Sequence, residues 1–461
     1  MKFYDREKEK ELLKNLKGDF RIAVVGRRRV GKTRLVEEIY NKNRLTLFIS
    51  AEKSEKEIIN DWADEYEEIP RVNTFKDLFE YLFTHMKDKI IFIDEIQNVM
   101  KVNKSFIFDL QRLIDKHKPR LVVAGSLIRT MKHLIESYKS PLFGRFDIVL
   151  KLKELDFRTV WEICKDLNLD FETTVRLYSI FGGVPKYYEL IEKMETFDLE
   201  KFILEMFVYY PHPLYEEVKI MLKEEFGKEH RMFFSILSAI SRGNTKLSEI
   251  SNFVGKEQTK ITKYLYLLIK DFEFVKREVP LLKGKRGVYR INSNLIDFWF
   301  ANVWRYQELL ERKEEEMLAT TLKGNLNAWV GKKFELIITE LIKEDIIKLP
   351  FSAERTGKQW GRIPDKQKGK DQYEIDIVAL NESTKEILFA ECKWQSRVNA
   401  EKICEELAEK SKYVQWHNDE RKESLAVFAK SFSRRTDEFE GRKVYCFDLK
   451  DIELALNSGR K

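Results

Sequence analysis

Gly26-Arg27-Arg28-Arg29-Val30-Gly31-Lys32-Thr33 lies between a short apolar run, Arg21-Ile-Ala-Val-Val25, and a stretch with helical spacing through Leu35, Val36 and Ile39. Strand, glycine-containing turn and helix in that order make a phosphate-binding loop, or P-loop. Gly26 and Gly31 let the backbone curl tightly, so that successive N–H groups point inward at a polyphosphate, and the helix that follows adds its positive N-terminal dipole. Lys32 is placed to reach the β- and γ-phosphates, and the Thr33 hydroxyl to ligate the Mg²⁺ that bridges them. Gly26 to Thr33, with the adjoining Arg34, is therefore the expected ATP/ADP site. Arg27, Arg28 and Arg29 either screen phosphate charge or are solvated loop residues.

Lys89-Ile-Ile-Phe-Ile-Asp94-Glu95-Ile-Gln97 is a nearly all-apolar run ending in two acids, the pattern of a buried parallel strand. In P-loop ATPases the first acid, here Asp94, holds Mg²⁺ through its water shell, and the second, here Glu95, orients and deprotonates the attacking water. Leu121-Val-Val-Ala-Gly125-Ser126 is another buried-strand pattern, with Ser126 where a γ-phosphate sensor would sit. Thr46 to Ala51 and Asp147 to Leu152 add apolar runs. Between these runs, Glu55 to Tyr66, Phe75 to Met86 and Ser105 to His117 have helical spacing. This alternation predicts an α/β fold, a parallel sheet with helices on both faces and ligand at the carboxyl ends of its strands. Arg145, in Pro141-Leu-Phe-Gly-Arg145, is a candidate for neutralising transition-state charge, or an ordinary surface arginine; acting in trans it would require a homo-oligomer.

The P-loop, the Asp-Glu-x-Gln strand end, the Gly-Ser strand, the Pro-Leu-x-Gly-Arg segment and Gly182-Gly183-Val184-Pro185 together resemble the archaeal ATPases of the AAA+-related STAND group. In that group a Gly-x-Pro turn approaches the adenine, so the resemblance implies that role for Gly183 and Pro185. It also implies ATP hydrolysis with Mg²⁺.

The 461 residues exceed what one core normally supports, so several domains are expected. No apolar run approaches the roughly 20 residues that span a bilayer, and Met-Lys-Phe-Tyr-Asp-Arg is no signal peptide, so a cytoplasmic protein without membrane partners is expected. Cys164, Cys392, Cys404 and Cys446 are scattered, against a zinc or disulfide framework. Charged residues reach 35%, rich in Lys, Glu and Arg, which points to a thermophilic source.

Net charge is only +7, but Gly255 to Arg290 holds ten basic residues against four acidic ones. Met232 to Ile240, Leu247 to Val254 and Glu257 to Asp271 read as helices. Glu273 to Leu282 and Gly287 to Ile291 read as the strands of a hairpin, and the whole as a winged helix. In such a module Lys256, Gln258, Thr259, Thr262 and Lys263 face a DNA major groove, while Lys283, Lys285 and Arg286 contact phosphate or minor groove. The competing reading is a lid or docking surface.

Tyr373-Glu-Ile-Asp376-Ile-Val-Ala-Leu380 and Ile387-Leu-Phe-Ala-Glu391-Cys-Lys393 are strand patterns joined by a short polar connection. A turn centred on Ser383-Thr384 pairs Leu380 with Ile387, Val378 with Phe389, Asp376 with Glu391 and Glu374 with Lys393. The four polar side chains then share one face, and Ile375, Ile377, Leu388, Ala390 and Cys392 the other. Opposed carboxylates repel, and a divalent cation, Mg²⁺ or Mn²⁺, resolves the conflict, with Lys393 placed to activate water. This pattern resembles the core of the PD-(D/E)xK restriction-endonuclease-like nucleases, with Ile375 in place of the proline. The resemblance implies Asp376, Glu391 and Lys393 as catalytic residues and Glu335, from a preceding helix, as a further metal ligand.

The expected organisation is a P-loop ATPase core over 1–155, a helical lid over 156–225, a winged helix over 226–300, a helical linker over 301–325 and an α/β nuclease-like domain over 326–461. Two functions follow: an ATPase controlling DNA binding and Mg²⁺-dependent DNA cleavage, or a STAND-type signalling or defence switch whose last domain binds nucleic acid without cutting it.

Overall fold

The computed structural model describes residues 1–282, 287–364, 366–367 and 371–458. Strands β1 (Arg21–Val25), β2 (Arg44–Phe48), β3 (Ile90–Asp94), β4 (Leu121–Gly125) and β5 (Ile148–Lys151) form one parallel sheet in the order β2-β3-β4-β1-β5. Their apolar runs are continuous because both faces are covered: Ile22, Val24, Phe92 and Val122 pack to one side, and Ala23, Val25, Ile93 and Val123 to the other. β2 starts earlier than the Thr46–Ala51 run suggests and ends at Phe48, which pairs with Asp94. With β4 between β1 and β3, Val25 pairs with Gly125. The P-loop, Asp94 and Ser126 thus leave the sheet at one edge.

Five helices between Phe157 and Phe226 follow, then helices His230–Ser241, Leu247–Val254 and Gln258–Lys270 and an antiparallel hairpin of β6 (Val275–Glu278) and β7 (Val288–Ile291). Both strands are shorter than the expected runs. Helix Glu315–Lys343 then continues for 29 residues across the boundary expected at 325/326. Nothing in its sequence interrupts the buried stripe of Leu318, Leu322, Leu326, Trp329, Phe334, Ile337 and Leu341, whose spacing of three to five residues keeps one face apolar. This stripe joins the same core as Phe181 and Phe207 of the preceding helices and Phe233 and Leu268 of the three-helix unit. The expected lid, winged helix and linker therefore share one apolar interior.

The C-terminal module has strands β8 (Arg355–Arg362), β9 (Gln372–Asn381), β10 (Glu386–Lys393), β11 (Val398–Asn399), β12 (Lys422–Ala429), β13 (Phe432–Arg434), β14 (Glu438–Phe439) and β15 (Arg442–Phe447). Six of them form a mixed sheet, β14-β15-β12-β10-β9-β8, while β11 pairs with β13. Helix Ala400–Ser411 covers one face and Glu315–Lys343 the other. The β9–β10 register is as expected at Leu380/Ile387 and Val378/Phe389, but the ladder ends at Ile377/Ala390. A register shift between β8 and β9 pairs Gly357 with Val378 and Gln359 with Ile375. This bulge turns Ile375 into the core beneath Ala400–Ser411, whereas Ile377, Leu388, Ala390 and Cys392 face the other way. The expected common face of Ile375 and Ile377 is thus corrected.

Lys333, on the long helix, bonds Asp297 at 2.8 Å, with their side chains 3% and 8% exposed. Lys333→Met leaves a buried carboxylate without its counter-charge and is expected to destabilise the protein by about 3–5 kcal/mol. The double variant with Asp297→Leu is expected to recover most of that loss, as read from urea denaturation of the three proteins.

Candidate functional site

The P-loop borders a cavity of about 460 Å³, lined by Arg28 to Arg34, Phe48, Asp94, Glu95, Leu155 and Pro185, with Met1 to Tyr4 and Arg6 as a further wall. Gly31 has φ +92°, the left-handed conformation that glycine adopts without strain, and starts the helix Lys32–Ile39. Gly26 has no room for a side chain, since a Cβ would lie 2.6 Å from the Leu152 carbonyl oxygen. Lys32 is buried, and its Nζ donates to the Arg27 carbonyl at 3.0 Å. Burial lowers its pKa, opposed by Glu95 and Asp94. The Thr33 hydroxyl donates to Asp94 Oδ2 at 2.7 Å, and burial raises the Asp94 pKa. Lys32 and Asp94 are thus incompletely compensated charges facing an open cavity, the donor set that a nucleotide and its Mg²⁺ fit.

Glu95 has φ +54° and is held from behind, where its Oε2 accepts from the Ser126 hydroxyl at 2.7 Å and from the Gln97 amide. Ser126 lines a smaller adjoining cavity of about 170 Å³ with Gln97, not the main one, so in this arrangement it positions Glu95. Arg145 lines neither cavity and pairs with Asp115 at 3.3 Å. The turn after Leu142 carries it to the helix Phe106–His117, in keeping with the alternative of an ordinary surface arginine. Pro185 lines the main cavity but Gly183 does not; a Cβ on Gly183 would lie 1.7 Å from the Leu155 carbonyl oxygen, and Leu155 N–H donates to the Gly183 carbonyl at 2.8 Å. Gly183 is required for that backbone approach.

Arg28, Arg29 and Arg34 line the main cavity, whereas Arg27 does not. Arg27 donates to the Glu273 carbonyl at 2.7 Å, lies 4.4 Å from the Phe274 ring centroid and is 3.7 Å from Glu154. Arg29 pairs with Glu217 at 2.7 Å, and Arg34 with Glu189 at 2.7 Å. Only Arg28 is exposed.

In the C-terminal module Lys358 gathers three of the expected acids. Its Nζ lies 2.7 Å from Glu335 and 3.6 Å from Asp376, and it also pairs with Glu374. Burial opposes its charge, yet Glu335, Glu374 and Asp376 together raise its pKa. Asp376 Oδ2 accepts from the Cys392 N–H at 3.0 Å, and burial, then Glu335 and Glu391, push its carboxyl up to about 7. Glu391 shares the face of Phe389, two residues before it on β10, and turns to helix Ala400–Ser411, where Lys410 binds it at 3.0 Å and Lys393 at 2.8 Å. The expected single face of Glu374, Asp376, Glu391 and Lys393 is therefore split, because the ladder ends and β9 bulges before the acids are reached. Among the described residues no group of three or more His, Cys, Asp or Glu side chains converges to hold a metal ion. As arranged, Glu335, Asp376 and Glu391 do not fit a divalent cation.

Lys256, Gln258, Thr259, Thr262 and Lys263 are all exposed on or beside helix Gln258–Lys270. Lys283, Lys285 and Arg286 lie outside the described residues. The sequence reading missed Lys358 and Lys410, which belong to no motif, and the Met1–Arg6 wall. Gln97 was visible in the Asp-Glu-x-Gln string.

Residues 3–191 match the family described as an ATPase domain predominantly from Archaea, and residues 299–403 match one of archaeal and bacterial proteins of unknown function. The uncharacterized protein MJECL04 of Methanocaldococcus jannaschii is 33% identical, over 98% of this chain and all of its own length. The chain belongs to the archaeal ATPase family. Among solved structures, the Walker-type ATPase PABY2304 of Pyrococcus abyssi is similar over 65% of this chain and 96% of its own, with TM-score 0.51 and 18% identity. The ORC2 protein of Aeropyrum pernix is more distant, with TM-score 0.43 and 12% identity over 67% of this chain and 94% of its own. Among the described residues of this archaeal ATPase no helix is long and apolar enough to cross a membrane.

Glu225, at the same junction as Arg27, accepts from the Arg129 N–H at 3.1 Å, and burial pushes its carboxyl up from 4.5 to about 7. The folded archaeal ATPase therefore retains a proton there that the unfolded chain releases between these pH values, so this group's contribution to stability falls as pH rises from 4.5 to 7. Glu225→Gln is expected to flatten that slope and to be more stable than wild type at pH 8 by about 3 kcal/mol, read from urea denaturation at about pH 5 and about pH 8.

Proposed function

We propose that this archaeal ATPase binds and hydrolyses ATP at Gly26–Thr33 and uses it to control a DNA-directed C-terminal half. Lys32 and the loop N–H groups would hold the phosphates, and Thr33 and Asp94 the Mg²⁺. That ion, when bound, supplies charge neutralisation on the β- and γ-phosphate oxygens. Glu95, which lines the main cavity, takes the proton of the attacking water, and its alignment comes from Ser126 and Gln97, which together fix one carboxylate oxygen. This grip on Glu95 is the observation that carries the hydrolytic reading.

His230–Ile291 acts as a winged helix that lays the exposed face of Gln258–Lys270 against DNA. The last domain is nuclease-like in fold, with Asp376, Glu391 and Lys393 as its candidate centre. Lysines take up its carboxylates in this arrangement, so cleavage would first require Lys358 and Lys410 to release them. The same lysine contacts favour the second reading, a STAND-type switch whose last domain binds nucleic acid without cutting.

Lys32→Ala is expected to abolish nucleotide binding in a fluorescent-ATP titration. Glu95→Gln should bind ATP like wild type while turnover falls by at least about 100-fold; normal turnover would remove Glu95 from the mechanism. Plasmid and linear DNA incubated with Mg²⁺ or Mn²⁺, with and without ATP, decide between the two readings. Loss of DNA with wild type but not with Asp376→Ala supports cleavage. DNA retention by gel shift, without loss in either protein, supports the switch.

A further inference from the structure

Residues Glu273 to Leu282 run from the P-loop to the C-terminal sheet. At the first end Arg27 grips the Glu273 carbonyl and the face of Phe274. At the second, the Leu281 N–H donates to the Lys358 carbonyl at 3.0 Å, the Leu282 N–H donates to Gln359 Oε1 at 3.0 Å, and the Arg355 guanidinium donates to the Leu281 carbonyl. Only β6, Val279 and Pro280 lie between Phe274 and Leu281. Gly357 leaves the space that Leu281 fills, since a Cβ there would lie 3.3 Å from Leu281 Cδ1.

The residue that receives this segment through its backbone is the one that occupies the acidic site through its side chain. Lys358 holds Glu335, Glu374 and Asp376 together. A cavity of about 580 Å³ connects these elements, with Asp376 and Glu335 on one wall, Lys276 and Glu278 of β6 on another, and Glu154, the partner of Arg27, toward the P-loop. The first link in the chain is internal to the P-loop, where Lys32 Nζ donates to the Arg27 carbonyl.

We propose that Glu273–Leu282 is an autoinhibitory strap. Docked on β8, it keeps Lys358 among the carboxylates and the C-terminal site closed, and nucleotide at the P-loop undocks it through Arg27. The proposal rests on reading Gly26–Thr33 as a nucleotide site. Lys32, drawn to a γ-phosphate, gives up the Arg27 carbonyl, and the negative charge entering the loop attracts the Arg27 guanidinium away from Glu273 and Phe274. With the Arg27 grip released, the first end keeps Lys132 on Glu273, Asn292 on the Glu273 and Phe274 carbonyls and the pairing of β6 with β7, while the second end is held at the β8 edge by three hydrogen bonds and the packing of Leu281 and Leu282. An unpaired edge strand is a ready docking site for a backbone segment, so the contact is reversible by construction.

Hydrogen–deuterium exchange on the full chain, with and without ATPγS and Mg²⁺, reads the strap directly, because the Leu281 and Leu282 amides are its bonded groups. In wild type the analogue is expected to protect the P-loop and to speed exchange at least fivefold at the Leu281 and Leu282 amides. Lys32→Ala should show neither effect. Arg27→Ala and Leu281→Ser should exchange fast at the amides of residues 281 and 282 without nucleotide, while helix Ala400–Ser411 keeps wild-type protection. A protected P-loop with unchanged or slower exchange in the strap overturns the coupling and leaves nucleotide binding intact. An unprotected P-loop overturns the nucleotide reading, and the strap proposal with it. The wild-type arm requires no variant, so a misfolded Arg27→Ala does not rescue the idea.

Discussion

Lys32 and Asp94 are charges that folding has taken out of water without fully compensating them. Burial pushes both toward neutrality, lowering the lysine pKa and raising that of the aspartate. Their internal partners are modest: a backbone carbonyl for Lys32, and a hydroxyl and one N–H for Asp94. A buried charge in that condition is costly until a counter-charge arrives. The cost is imposed by the sheet, because the order β2-β3-β4-β1-β5 delivers the P-loop and the acidic strand end to one edge. A phosphate beside Lys32 and a divalent cation beside Asp94, as proposed above, would relieve both charges at once.

The C-terminal module solves the same problem with its own side chains. Glu335, Glu374 and Asp376 meet Lys358, and Glu391 meets Lys393 and Lys410. Asp376 is the residue left least satisfied: burial and two neighbouring carboxylates outweigh Lys358 and the Cys392 N–H. One edge of the molecule is thus prepared for an external ligand, and the other is neutralised from within. The two lie at opposite ends of a segment only ten residues long.

What the sequence made legible was local. The P-loop, the Asp94-Glu95 strand end and the β9–β10 register are contiguous patterns, and each is read from spacing within a few residues. What was lost depends on contacts between distant segments. The bulge in β9 is set by pairing with β8, a strand of polar and small residues with Trp360 as its one large apolar side chain, so the side of the sheet taken by Ile375 was misjudged. Gly183 received its ligand role from the family resemblance alone, and its approach to the Leu155 carbonyl oxygen, 28 positions back, had no local signal. Arg27 looked like a phosphate or solvent residue because nothing nearby in sequence reveals Glu273, 246 positions on.

The continuous core gives these long-range polar contacts their weight. Phe181, Phe233, Leu268, Trp329 and Phe334 belong to one interior, so the helices between the two sites pack as a dense, stiff body. Apolar contacts of that kind change little when a charge arrives at the surface of the core. Ion pairs and backbone hydrogen bonds at its margin respond directly, because their energy depends on neighbouring charge and on direction. Arg27, Glu154, Glu225 and Lys358 sit on that margin, where burial strengthens each charge–charge interaction. A rigid interior with charged joints confines any response to nucleotide to those joints, and the joint between Arg27 and Phe274 is the one built on the P-loop itself.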